Sequence, residues 1–173
     1  SKTDTDTDTD TDKLLAEKQP EAKHPEVLLA GIGESSDAHH ISAPHPQGLG
    51  AIAAMKAALN DAELTASQVS YVNLHGTATP KNDAMESIAM HHVFAEQTAA
   101  NYDSTKYDPT KSIPLCSSTK PLTGHCLGAA GAIEAAFCYL LLSSYNSEQL
   151  LPPQVWDKQQ DPNNPVIPLV TPS

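Results

Sequence analysis

The stretch 128–143 constrains the fold of this chain more than any other. It is rich in alanine, apolar on nearly every side, and carries Glu134 as its only charge. A helix that is apolar all round has to be covered on all its faces. A position between two sheets would satisfy that demand. The run is too short, with Glu134 inside it, to span a bilayer comfortably.

The segments before it alternate in character. Residues 27–33 form a short apolar run ending in glycines, which reads as a buried strand. A polar loop, 34–46, follows with His39, His40 and His45. From Gly48 the pattern turns helical to near Asp61. Ile52, Met55, Ala58 and Leu59 recur on one face, with Lys56 and Asn60 off it. Residues 69–74 alternate and are rich in β formers, so a second strand delivers His75 at its carboxyl end. Thr79-Pro80 is a helix entry, a hydroxyl cap followed by proline at the first position. Asp83 and Glu86 fall in the early turns, where the helix dipole favours carboxylates. Met85, Ile88, Ala89, Val93 and Phe94 supply the apolar face. Residues 97–111 are polar and read as a surface insertion. A short third strand, 113–118, hands over Lys120 and then His125. The tail from Pro152 is proline-rich and reads as extended loop. The order β, α, β, α, β, α predicts a layered α/β fold. Functional groups then belong at the carboxyl ends of the strands.

At 173 residues the chain is long enough for one domain with a real core. Residues 1–26 are expected to lie outside it. They include five Thr-Asp pairs over residues 3–12, with nothing apolar to bury, and read as a disordered acidic linker. They lack the turn glycine and closing glutamate of a calcium-binding loop. The formal charge of −11 disfavours nucleic acid and anionic membrane as partners. The three cysteines form no CxxC pair, and the polar N-terminus resembles no secretory signal. A reducing cytoplasm is the simplest location.

Two glycine-flanked histidine motifs carry the candidate chemistry. They read Asn73-Leu74-His75-Gly76-Thr77-Ala78-Thr79-Pro80 and Ser118-Thr119-Lys120-Pro121-Leu122-Thr123-Gly124-His125. Two imidazoles converging on one point can donate hydrogen bonds to a developing oxyanion, as in an enolate. Taken singly, each has a plainer reading: His75 as a strand-end histidine bonded to a carbonyl, His125 as a helix-terminal one. Thr77 and Thr79 suit the amides of an extended ligand arm, or local turn bonds. Lys120 beside a buried helix calls for a carboxylate partner, and Glu86 is the expected one. The chain has eight histidines, but no zinc spacing joins them, so a metal-binding module is a weak alternative. His91 and His92 read as partly exposed. Cys116 in a strand and Cys126 and Cys138 in the buried helix read as structural. Cys126 next to His125 would point another way on a helix.

These residues resemble the C-terminal half of β-ketoacyl-acyl-carrier-protein synthases, condensing enzymes of the thiolase-like fold. The similarity runs over roughly 27–165 through several ordered motifs. These are Ser35-Ser36-Asp37-Ala38-His39-His40, then His75 to Asp83 with Glu86, then Ser117 to Lys120, then Thr123 to Gly131.

The resemblance implies a layered α-β-α half, completed by an N-terminal half and by closing glycine-rich strands beyond Ser173. It makes His75 and His125 the two histidines of a Cys-His-His triad, with Lys120 the active-site lysine. Asp83 and Glu86 would support a polar network. Thr77 and Thr79 would contact phosphopantetheine, and His40 and Ser42 would line the pocket loop. His39 and Ala43 depart from the family pattern there. The implied partners are acyl carrier protein, the N-terminal half, and a second synthase chain in a homodimer or heterodimer. No metal or organic cofactor is implied. The nucleophilic cysteine belongs to the other half, so this chain alone is expected to be inactive. Pro80-Lys81-Asn82-Asp83 resembles the discrete fatty-acid-type enzymes, and a related polyene pathway is also open. The second functional reading is a non-catalytic partner that binds carrier protein or a synthase.

Overall fold

The computed structural model describes residues 27–95 and 111–172. The linker expected over 1–26 lies outside them, as does nearly all of the insertion expected over 97–111.

Helix α1, Leu49–Asp61, opens behind Gly48, whose φ of 67° lies in the left-handed region that glycine takes without strain. It buries Ile52 and rests Met55 and Leu59 against the core, as the spacing predicts. Strand β1, Tyr71–Asn73, follows. Helix α2, Pro80–Met90, starts with proline at its first turn. The Thr79 hydroxyl makes no cap and pairs instead with the Thr77 hydroxyl at 2.9 Å. Past Met90 the backbone widens into a π-type turn, His91–Ala95, which buries Val93, Phe94 and Ala95.

Strand β2, Leu115–Ser117, pairs in parallel with β1, Cys116 facing Val72. Parallel neighbours need a crossover, and α2 supplies it. The proline-rich tail does more than loop. The N–H of Cys116 is donated to the Pro168 carbonyl, and the N–H of Val170 to the Cys116 carbonyl, so Leu169 bridges the free edge of β2. The core gathers Ile52, Leu74, Met90, Val93, Phe94 and Cys116 between the sheet and the two helices. These are the layers of an α/β half.

Two segments differ from expectation for one reason. Residues 27–33 form no strand. They run along α1 without regular structure, close enough that a Cβ on Gly33 would sit 2.0 Å from the Ala54 carbonyl oxygen. Leu28, Leu29 and Ile32 face solvent. The apolar run 128–143 does form a helix, α4, Ala130–Leu142, after a short helix α3, Lys120–Thr123. Of α4 only Ala130 is buried, while Tyr139, Leu140 and Leu142 are exposed. Each segment has the composition of buried structure and lacks a covering layer among the described residues. Cys126, expected inside that helix, lies before it and is exposed, Cys138 is half-buried, and Cys116 is buried. No helix among the described residues is long and apolar enough to cross a membrane.

Candidate active site

The two strands end side by side, and each hands its chain to a histidine loop. Beyond β1 the N–H of Leu74 still reaches the Ser117 carbonyl at 2.8 Å, which keeps the two exits in register. The ring centroids of His75 and His125 are 5.1 Å apart, with planes at 88°. The N–H of Leu127 is donated to Nδ1 of His125 at 3.0 Å. In a neutral ring this leaves the proton on Nε2, free to be donated. His75 has a proton affinity below that of ordinary histidine. Desolvation is the leading cause and the nearby Lys120 charge the next, while His125 acts in the same direction and Glu134 and Asp83 oppose. It therefore stays neutral to lower pH than a free imidazole.

Lys120 is buried, but its partner is not the expected Glu86. Its ammonium pairs with Glu134 of α4. Thr123, Gly124 and Cys126 surround this ion pair. Glu86 turns the other way. Its Oε1 accepts the N–H of His75 at 2.6 Å and its Oε2 that of Gly76 at 2.8 Å, with the Asn82 amide at 3.4 Å. A buried carboxylate thus clamps the loop that carries the first histidine. Burial raises its pKa, and the two backbone bonds hold it down in part. Gly76 has φ 42°, and a Cβ there would lie 2.5 Å from that of Ser118.

The other candidates make their hydrogen bonds with each other or with near neighbours, not with the two rings. Thr77 and Thr79 bond to each other. Among the described residues Asp83 pairs with no cation; its carboxylate accepts from Asn82 at 3.3 Å. His40 Nδ1 accepts the N–H of Ser42 at 3.1 Å on an exposed loop. That loop is held by Asp37, which accepts the N–H groups of His45 and His39; these bonds, the His45 one foremost, lower its pKa. His39 and His45 stack edge to face at 4.7 Å. Among the described residues no three His, Cys, Asp or Glu side chains converge as a metal site would require. Sequence reasoning missed Glu134, although a single charge on an apolar helix was its signal. It named Ser118 only as a motif member without a role, and it missed Gln154, which carries no signal of its own.

Residues 27–155 match the model of the β-ketoacyl synthase C-terminal domain, and the chain belongs to that family. Among its relatives is 3-oxoacyl-[acyl-carrier-protein] synthase 2 of Vibrio harveyi, 39% identical over 127 residues, covering 73% of this chain and 27% of the relative. The mitochondrial 3-oxoacyl-[acyl-carrier-protein] synthase of Arabidopsis thaliana is 45% identical over 114 residues, covering 66% and 22%. The chain therefore spans about a quarter of the length of these relatives. Among solved structures it is similar to the ketosynthase ApeO, in complex with its chain length factor ApeC, from Xenorhabdus doucetiae. The TM-score is 0.68 at 45% identity, covering 83% of this chain and 32% of that one. A type II polyketide ketosynthase in complex with its acyl-carrier protein, AntDE:AntF, gives a TM-score of 0.62 at 29% identity, covering 80% and 31%. The fold is thus part of the thiolase-like fold of ketosynthases.

Proposed function

We propose that this chain is the part of a 3-oxoacyl-acyl-carrier-protein synthase that receives the malonyl arm of a carrier protein and holds the enolate formed from it. The observation that carries this reading is the meeting of His75 and His125 at 5.1 Å at the carboxyl ends of paired strands. The acyl group waits as a thioester on a cysteine of the synthase's N-terminal half. The malonyl thioester releases its carboxylate as carbon dioxide, and the electron pair of the broken C–C bond passes into an enolate. The N–H groups of two neutral imidazoles hold the enolate oxygen. The enolate carbon attacks the acyl carbonyl, the C–S bond breaks, and the cysteine leaves as a thiolate. The lengthened 3-oxoacyl chain stays on the carrier.

In this scheme Lys120, steadied by Glu134, helps keep His75 unprotonated. Glu86 holds the His75 loop, and Asp83 adds negative charge to the same network. Thr77 and Thr79 stand ready for the phosphopantetheine amides, and His40 and Ser42 for the pocket rim. No metal or organic cofactor takes part, since the pantetheine belongs to the carrier. Partners are acyl carrier protein and the cysteine-bearing half, within a synthase homodimer or heterodimer. The setting is cytoplasmic fatty acid synthesis or a related polyene pathway. Alone the chain is expected to be inactive, because the nucleophilic cysteine belongs to the N-terminal half and none of Cys116, Cys126 and Cys138 lies in a nucleophile motif; burial also pushes the Cys116 thiol up to about 12.

The test is a chimaera of the Vibrio harveyi synthase whose matching stretch is replaced by residues 27–155. Condensation of acyl and malonyl carrier protein is expected. His75→Ala or His125→Ala should lower kcat by about 10²–10³-fold, the usual loss for one oxyanion donor. A folded chimaera that binds carrier protein without condensing would favour the second reading, a non-catalytic partner.

A further inference from the structure

We propose that Ser118, braced from behind by Gln154, is a positioning residue that sets the His75 loop against the loop of Lys120 and His125. The inference rests on the functional reading above for its catalytic meaning. Ser118 follows β2 directly and is 1% exposed. Its hydroxyl is donated to the Gly76 carbonyl at 3.2 Å, with the His75 carbonyl also near at 3.4 Å. Its oxygen in turn accepts the N–H of Lys120 at 3.3 Å. One hydroxyl therefore bonds the outgoing chain of both strands, within two residues of each functional side chain it joins. The missing Cβ of Gly76 makes room for this approach.

The backbone of Ser118 needs its own partner. The strand ladder ends at Ser117, so the buried N–H that follows would be left without an acceptor. Gln154 supplies one, its Oε1 accepting that N–H at 2.7 Å. Gln154 is itself fixed, because its backbone N–H is donated to the Val170 carbonyl at 2.8 Å. The tail thus fixes the Ser118 amide, and the Ser118 hydroxyl joins the His75 loop to the backbone of Lys120, which leads into His125. Ser118 touches no reacting atom in this scheme. It acts through His75 and Lys120, whose charge bears on His75.

NMR of the described chain tests this without an activity assay. In Ser118→Ala the His75–His125 ring cross-peak should weaken. The His75 titration midpoint should rise toward the ordinary histidine value as cover and the Lys120 charge recede. Gln154→Leu should shift both in the same direction, and Gln154→Glu, which keeps an acceptor, should restore the cross-peak. Ser143→Ala is the control, since it removes another buried hydroxyl, bonded to the Leu140 carbonyl at 2.8 Å, and should leave His75 unmoved. If Ser118→Ala does not fold, Gln154→Leu decides. An unchanged cross-peak and midpoint in either folded variant overturns the proposal. In the chimaera Ser118→Ala should lower kcat with KM kept. Should His75→Ala and His125→Ala chimaeras condense normally while Ser118→Ala still moves His75, the functional reading falls and the positioning role stands.

Discussion

Glu86 is 8% exposed and has two backbone N–H groups, not a cation, as its main partners. Burial raises its folded pKa above the ordinary 4.5. The folded chain then holds that proton more tightly than the unfolded one. Its contribution to stability falls as pH rises from 4.5 through the folded value. Glu86→Gln should remove that slope from a denaturation series and, by losing one acceptor, cost about 1–3 kcal/mol at neutral pH. His75 has the opposite sign. Its folded pKa is depressed below 6.5, so its contribution is complete above 6.5 and is lost as pH falls from there through the folded value. Lys120→Met should raise the His75 midpoint but leave it below 6.5, because desolvation is the larger cause. Glu134→Gln should lower it further. An NMR titration in which either variant leaves the midpoint in place would contradict this electrostatic account.

Where two elements meet, small changes should tell. Gly76→Ala sets a Cβ against Ser118 at a left-handed φ. It should cost about 1–3 kcal/mol in thermal or denaturant unfolding, the range for overpacking and backbone strain. Leu142→Lys on α4 should change stability by no more than about 0.5 kcal/mol, because that side chain is largely exposed. Helices α1 and α2 were legible in the sequence because each carries its own signals. Ile52, Met55 and Leu59 mark a face, and Thr79-Pro80 marks a start. The parallel strands were legible through their β-branched and apolar runs. Residues 27–33 were not, because a strand exists only by its neighbour, and composition says nothing of who that neighbour is. The two histidines and Lys120 could be picked out by type and by motif. The partner of Lys120 could not, because Glu86 and Glu134 are both acidic residues on helices that flank the Lys120 motif in sequence. Which one it meets depends on how the loop after β2 turns.

For the molecule as a whole, two sets of exposed apolar side chains are the dominant liability. Leu28, Leu29 and Ile32 on one segment, and Leu127, Leu140 and Leu142 around α4, are apolar side chains open to water. The isolated chain should self-associate as its concentration rises, seen as a growing weight-average mass in sedimentation equilibrium. Substituting Leu140 and Leu142 together with lysine should reduce that mass. A monodisperse monomer at high concentration would refute the prediction. The grip of residues 168–170 on Cys116, and of Gln154 on Ser118, has a temporal meaning as well. A ribosome makes β1 and α2 first, then β2, and only later the segment that pins β2 from its far side. Until then the edge of β2 is unpaired and the Ser118 amide has no acceptor. Contacts so distant in sequence form slowly. With Ser118 in its proposed role, the pair of histidines is set only after the tail has docked, and a nascent chain paused before residue 154 would carry both imidazoles without that brace.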